Sequence, residues 1–294
     1  MINSLWQTVF WNSDGKRLRP LWRLVIQLLI LGFMLVLELF VFALINAFAH
    51  WHFSNTGLLV ISTLMELLAF TGSVALARRW LDKRSFASLG LRVDKDPISD
   101  LCSGFMLAAL MLGGVFMTMQ RLGWLQVTNL SGPHQVAMDW HALIQMGLYL
   151  LIFVVVGFQE ELLFRGYHLQ TIASGWNTFF AVIGSSVIFA GLHSLNPGFN
   201  WMGFLGIFCA GLLLAFAAVR TGRLWLSIGI HIGWNFFEAV VFGFPTSGVV
   251  TFSLTHIHVT GPVLWTGGVF GPEAGLIILP ALAIGAALVW AFTK

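Results

Sequence analysis

Eight apolar runs, most of them long enough to cross a bilayer, constrain the fold of this chain more than any other feature of its sequence. Spanning the hydrocarbon core takes about 20 largely apolar residues in a helix. Runs of that kind cover Leu21 to Phe48, Leu58 to Leu76, Leu101 to Gln120, Leu143 to Gly157 with a continuation, Phe179 to Leu192, Trp201 to Val219, Leu224 to Phe242 and Ala274 to Phe292. Of the 294 residues, 58% are hydrophobic and 9% charged, against about 25% charged in soluble domains, so water is not the main solvent. A membrane β-barrel would alternate apolar and polar residues, and Leu28-Leu29-Ile30-Leu31 and Leu212-Leu213-Leu214-Ala215 do not. The sequence therefore predicts an all-α polytopic protein, a single transmembrane domain over 1–294 with about eight helices. No internal repeat, low-complexity tract or domain-sized soluble appendage interrupts it.

The charges set an expected orientation, because Lys and Arg in short loops stay on the cytoplasmic side. Lys16, Arg17, Arg19 and Arg23 precede or open the first run, and Arg78, Arg79, Lys83, Arg84, Arg92 and Lys95 follow the second. Arg220 and Arg223 follow the sixth, and Lys294 ends the chain. An even number of spans with both termini inside puts all of these on one face and leaves Arg121 on the other. The expected location is a bacterial cytoplasmic membrane with cytoplasmic termini. The first run is longer than a signal-peptide core and lacks a small-residue cleavage pattern, so it is expected to be retained. The net charge of +3 is thus a topology signal, and no basic surface with interleaved aromatics points to nucleic acid. Cys102 and Cys209 lie in predicted spans as packing residues. His256 and His258, two apart in an outer loop, would share one side of a strand; an exposed pair and a weak metal site are both open readings.

Ionisable groups at membrane depth cost about 2.5–3.5 kcal/mol each even on lenient scales, so they need a partner or a function. They occur at Glu38, at Glu66, in Gln159-Glu160-Glu161 with Arg165, at His193, and from His231 through Asn235 to Glu238. On a helix Glu161 and Arg165 are an i,i+4 pair, whereas Glu160 is rotated away from Glu161. Arg165 can therefore hold Glu161 as a structural pair and leave Glu160 free to face a cavity. A turn at Ser174-Gly175-Trp176-Asn177, with Gly175 as helix stop, would bring Glu160 and His193 level, provided the fourth helix continues to about Ala173. His231 and Asn235 share a face of the seventh helix, with Gly233 between them leaving room for a ligand. Each of these groups could instead be interhelical glue.

A carboxylate and an imidazole around a water make a general-base hydrolase, and His231 and Asn235 could donate to a tetrahedral oxyanion. Zinc held by Glu160, His193 and His231 is the alternative; the His-Glu-x-x-His helix of many zinc proteases is absent. Without a metal, no cofactor is required.

At these residues the chain resembles the CAAX-processing and bacteriocin-protection (CPBP) intramembrane endopeptidases, which include the eukaryotic prenyl-protein endopeptidase. Their Glu-Glu-x-x-x-Arg motif matches Glu160, Glu161 and Arg165, their Phe-x-x-x-His motif matches Phe189 and His193, and their His-x-x-x-Asn/Asp motif matches His231 and Asn235. The resemblance implies a metal-free, glutamate-type endopeptidase. Glu160 with His193 would activate water, and His231 with Asn235 would stabilise the oxyanion, in a cavity open to the cytoplasm and the membrane. The implied partner is a membrane or membrane-associated peptide or protein; a prenylated substrate is not implied, because bacterial relatives are linked to bacteriocin immunity and peptide maturation. Two other readings compete: a non-catalytic immunity or binding protein that keeps the polar cluster for packing, and a transporter or proton relay through Glu38, Glu66 and Glu238.

Overall fold

The computed structural model describes residues 9–12, 17–49, 51–93, 96–130 and 139–294. Lys16 and Lys95 lie outside the described residues. Eight helices account for the eight apolar runs. They are α1 (Pro20–Ala49), α2 (Asn55–Trp80), α3 (Pro97–Arg121), α4 (Trp140–Ala173), α5 (Thr178–Leu192), α6 (Trp201–Thr221), α7 (Trp225–Asn235) and α8 (Ile278–Phe292). Six helices, α1 to α6, are long and apolar enough to cross a membrane; α5 reaches that length with the 3-10 turn His193–Leu195. The seventh run is shorter as an α-helix and continues through a π-helical turn, Phe236–Val241. The eighth starts four residues later than its run, because Pro272–Ala274 forms a separate 3-10 turn.

The helix starts follow local chemistry. Ser54, Asp96, Asn177 and Asn200 each accept a hydrogen bond from a backbone N–H in the first turn of the helix that follows, which satisfies donors that no intrahelical carbonyl can reach. Asp139 does the same for α4, accepting from the Ala142 N–H at 2.8 Å. Gly222 ends α6 with φ of 66°, a left-handed cap that glycine adopts without a Cβ clash.

Packing places α7 at the centre. Every residue of α7 from Leu226 to Asn235 is buried, and α3 lies directly against it. A Cβ on Gly229 would stand 2.3 Å from the Leu101 carbonyl oxygen, and one on Gly233 2.7 Å from that of Phe105. Gly233 is therefore a helix-contact residue facing α3, which corrects the expectation that it leaves room for a ligand. The joint between α4 and α5 also differs in its reason. Gly175 is not in a left-handed conformation; a Cβ there would stand 2.2 Å from the Pro20 ring, so its lack of a side chain admits the start of α1.

The basic ends of the bundle are tied together. Arg23 and Arg78 both pair with the buried Asp82, Arg23 also donates to the Ser174 hydroxyl, Arg223 pairs with Asp100 at 2.8 Å, and Arg220 donates to the Thr293 carbonyl at 2.8 Å. At the opposite end the loops form a two-stranded antiparallel sheet, β1 (Leu125–Leu130) and β2 (Thr255–Val259), that the all-α reading did not anticipate. His256 and His258 are exposed and share one side of β2, as their spacing predicts.

Candidate active site

The segment carrying Glu160 and Glu161 is a continuous helix as far as Ala173, the condition on which the level placement of Glu160 and His193 depended. Glu160 precedes the end of α4 by 13 residues and His193 follows the start of α5 by 15, which at 1.5 Å per residue is about 20 and 23 Å from the joining turn. One feature of this helix departs from a regular α-helix: Leu162–His168 is π-helical. A second π-helical turn follows Asn235. Such widened turns occur mostly within α-helices at functional sites, and here each begins immediately after a motif residue.

Glu161 organises the buried side of the site. Its Oε1 accepts from Arg165 Nη1 at 2.8 Å and from His231 Nδ1 at 3.0 Å, with both glutamate and arginine side chains fully shielded. Arg165 Nη2 donates to the Gly211 carbonyl at 3.1 Å, and its guanidinium stacks over the Phe189 ring at 4.3 Å. A cation over an aromatic face gains up to about 2 kcal/mol when desolvated. The Phe189 ring also lies edge-on to His193 at 4.6 Å and to His231 at 6.0 Å. The phenylalanine of the second motif is thus the wall shared by both histidines and the arginine.

Glu160, with 17% of its side chain exposed, faces the other way, into a cavity of about 180 Å³ that His193, His231 and Asn235 also line. The pairing within it differs in one respect from the expectation. The nearest imidazole to Glu160 is that of His231, whose Nε2 is 3.8 Å from Glu160 Oε2. His193 turns its Nδ1 onto the Phe189 carbonyl at 2.8 Å. A carbonyl only accepts, so Nδ1 carries the proton and a neutral His193 presents Nε2 as an acceptor. The same logic applies to His231, whose Nδ1–H is donated to the Glu161 carboxylate.

Three further groups line the cavity. Glu66 of α2 accepts from Gln159 Nε2 at 3.2 Å, which places it beside Glu160 in the cavity wall. Glu273, in the 3-10 turn before α8, accepts from the Ser247 N–H at 2.6 Å, from the Ser247 hydroxyl at 2.7 Å and from Trp234 Nε1 at 3.1 Å. Burial pushes its carboxyl up from the ordinary carboxylate range, while the Ser247 and Trp234 bonds pull the other way. Asn196, just after α5, donates to the Ser247 carbonyl at 3.1 Å. Sequence reasoning missed Glu273, Ser247 and Asn196; their only signal was polar residues in loops flanking apolar runs. Glu38 of α1 lies away from the cavity lining.

Among the described residues no three His, Cys, Asp or Glu side chains converge as a ligand group; His193 and His231 both engage Nδ1 elsewhere and keep Nε2 free, as histidines that bind metal also do. Cys102 and Cys209 are both free thiols.

The cavity lies between α2, α4, α5, α6 and α7, under the loop from Thr246 to Thr251. Its lining includes Leu59 and Ser62, near the start of α2, whereas Arg78 and Arg79 end that helix. The cavity thus reaches toward the end of the bundle opposite the basic one.

Residues 142–237 match the family described as Type II CAAX prenyl endopeptidase Rce1-like. Neither the curated proteins nor the solved structures compared with the chain gave a match. The matched segment runs from the start of α4 to just past Asn235 and so holds all three motifs, the first π-helical turn and the opening two residues of the second. Over that segment the chain is similar to the CAAX prenyl endopeptidases, in keeping with the resemblance carried by its three motifs.

Proposed function

We propose that this protein is an intramembrane endopeptidase that hydrolyses a peptide bond with water activated by Glu160 and His193. One observation carries the reading: Glu160, His193, His231 and Asn235, from three different helices, line one cavity, backed by a fully buried Glu161–Arg165 pair. In the proposed reaction His193 Nε2 accepts a hydrogen bond from the water and orients it, and the Glu160 carboxylate takes its proton as the oxygen attacks the carbonyl carbon. His231, as the imidazolium, donates Nδ1–H to Glu161 and Nε2–H to the oxyanion, and the Asn235 amide supplies the second donor. Glu160 then returns the proton to the leaving amine as the C–N bond breaks. Positioned acid–base groups and fixed oxyanion donors each contribute about 10²-fold or more to rate.

The scheme assigns each step to a side chain and calls on no metal. We read the eight helices as eight spans with both termini on the basic, cytoplasmic side. Membrane proteins or membrane-associated peptides are the substrates.

The test uses purified protein in lipid with a membrane-protein or peptide substrate. Cleavage is expected in the wild type, lost in Glu160→Ala and in His193→Ala with the folded state retained, and insensitive to chelators. Unchanged cleavage in either variant removes the assignment, and inhibition by chelators reversed by Zn²⁺ replaces it with the metal mechanism.

A further inference from the structure

We infer that the catalytic cavity opens away from the cytoplasm, so that the enzyme cuts polypeptide segments presented from the outer face of the membrane. The inference rests on the proteolytic reading for the word "cuts", and on independent geometry for the direction.

The first part of that geometry is the floor of the cavity. From Glu161 to Leu169 every residue of α4 is buried. Between that segment and the basic end, His168 Nε2 is bonded to Gln27 Oε1 at 2.8 Å and Gln27 Nε2 to Ser73 at 3.1 Å, all three residues being fully shielded. Below these sit the Asp82 pairs with Arg23 and Arg78. Packed side chains therefore separate Glu160 from the basic face.

The second part is the rim. Ser62 and Val249 line the cavity and are exposed, while Asn196, Thr246 and Thr251 are partly so. Ser62 is 16 residues before Arg78 on the same helix, about 24 Å along its axis. Asn196 follows the end of α5, and Thr246 to Thr251 follow α7, the ends remote from Ser174 and Arg223. Short loops rich in Lys and Arg face the cytoplasm. In this chain Arg17, Arg19, Arg79, Arg84, Arg92 and Arg220 all lie at the closed end. The open end therefore faces outward, the reverse of the cytoplasmic opening that family resemblance implies.

The lining also selects its occupant. It contains three carboxylates, Glu66, Glu160 and Glu273, against no Lys or Arg and the two histidines His193 and His231, so an acidic segment would meet net repulsion at low dielectric. The ligand class is an exported or outer-leaflet polypeptide whose bound segment is neutral or basic and largely apolar.

Sidedness can be measured with and without catalysis. In a background carrying Cys102→Ala and Cys209→Ala, Val249→Cys and Ser62→Cys are expected to react with a membrane-impermeant maleimide in intact spheroplasts, and Arg79→Cys only after permeabilisation. In parallel, a neutral quenched-fluorescence peptide is offered to spheroplasts and to sealed inverted vesicles. Glu160-dependent cleavage is expected from spheroplasts, and none from the vesicles until detergent opens them. Labelling of Arg79→Cys from outside with Val249→Cys and Ser62→Cys protected, or cleavage confined to inverted vesicles, overturns the inference. An absence of cleavage in detergent as well counts against the proteolytic reading alone, since the labelling pattern still decides which way the cavity opens.

Discussion

Glu160 and Glu161 are consecutive residues, yet they belong to two regions built on different principles. Glu161 sits in a buried, charge-paired cluster with Arg165 and His231, whereas Glu160 borders an open cavity. In the first region charge is compensated by charge and geometry is fixed. In the second a carboxylate is left without a fixed partner and is therefore available for chemistry. The rigid region holds the reactive one in place: Glu161 orients His231 from behind, and Arg165 presses on Phe189, which walls both histidines.

The comparison breaks if substitutions in the two regions behave alike. The largest expected effect is that Glu160→Gln, which keeps shape and loses the base, leaves no detectable cleavage while the thermal unfolding midpoint stays put. Arg165→Met should do the opposite in kind, leaving a buried carboxylate uncompensated at a cost of about 3–5 kcal/mol, read as a lowered midpoint in detergent. A smaller effect is expected at Asn235→Ala, a drop in kcat of about 10²–10³-fold with KM nearly constant, as for loss of one oxyanion donor. Gly233→Val, which forces a side chain into the α3 contact, should cost about 1–3 kcal/mol through overpacking; a neutral result there would restore the idea that Gly233 borders the ligand. The smallest effect belongs to His256→Ala with His258→Ala, expected to lie within about 0.5 kcal/mol of wild type with unaltered cleavage.

How much of this was legible in the sequence follows from what each feature depends on. The helices were, because a run of apolar residues bounded by Asp96, Asn177 or Asn200 specifies both the helix and its start through local bonds. The Glu161–Arg165 pair was also legible, since i,i+4 spacing is a property of one helix. The link from Glu161 to His231 was not, because it joins residues 70 positions apart and needs the packing of α4 on α7. The π-helical turns left no trace in the periodicity, and the β1–β2 sheet was hidden in loops whose composition fits many conformations. Gly233 was misread because a glycine beside a motif residue admits a ligand or a neighbouring helix equally well, and only the position of Phe105 decides between them. Glu273 was passed over because an acidic residue at the edge of an apolar run ordinarily sits at a membrane surface, whereas here α6 and the loop at Ser247 enclose it.

The central claim is that Glu160 is a catalytic base and not a packing residue. Its most direct test compares the membrane-derived peptide products of cells carrying the wild type with those of cells carrying Glu160→Gln at equal protein levels. The account predicts products that vanish in the variant, together with accumulation of their uncut precursor. Identical product profiles, with the protein's biological activity intact, would contradict it and leave the polar cluster as a device for helix packing.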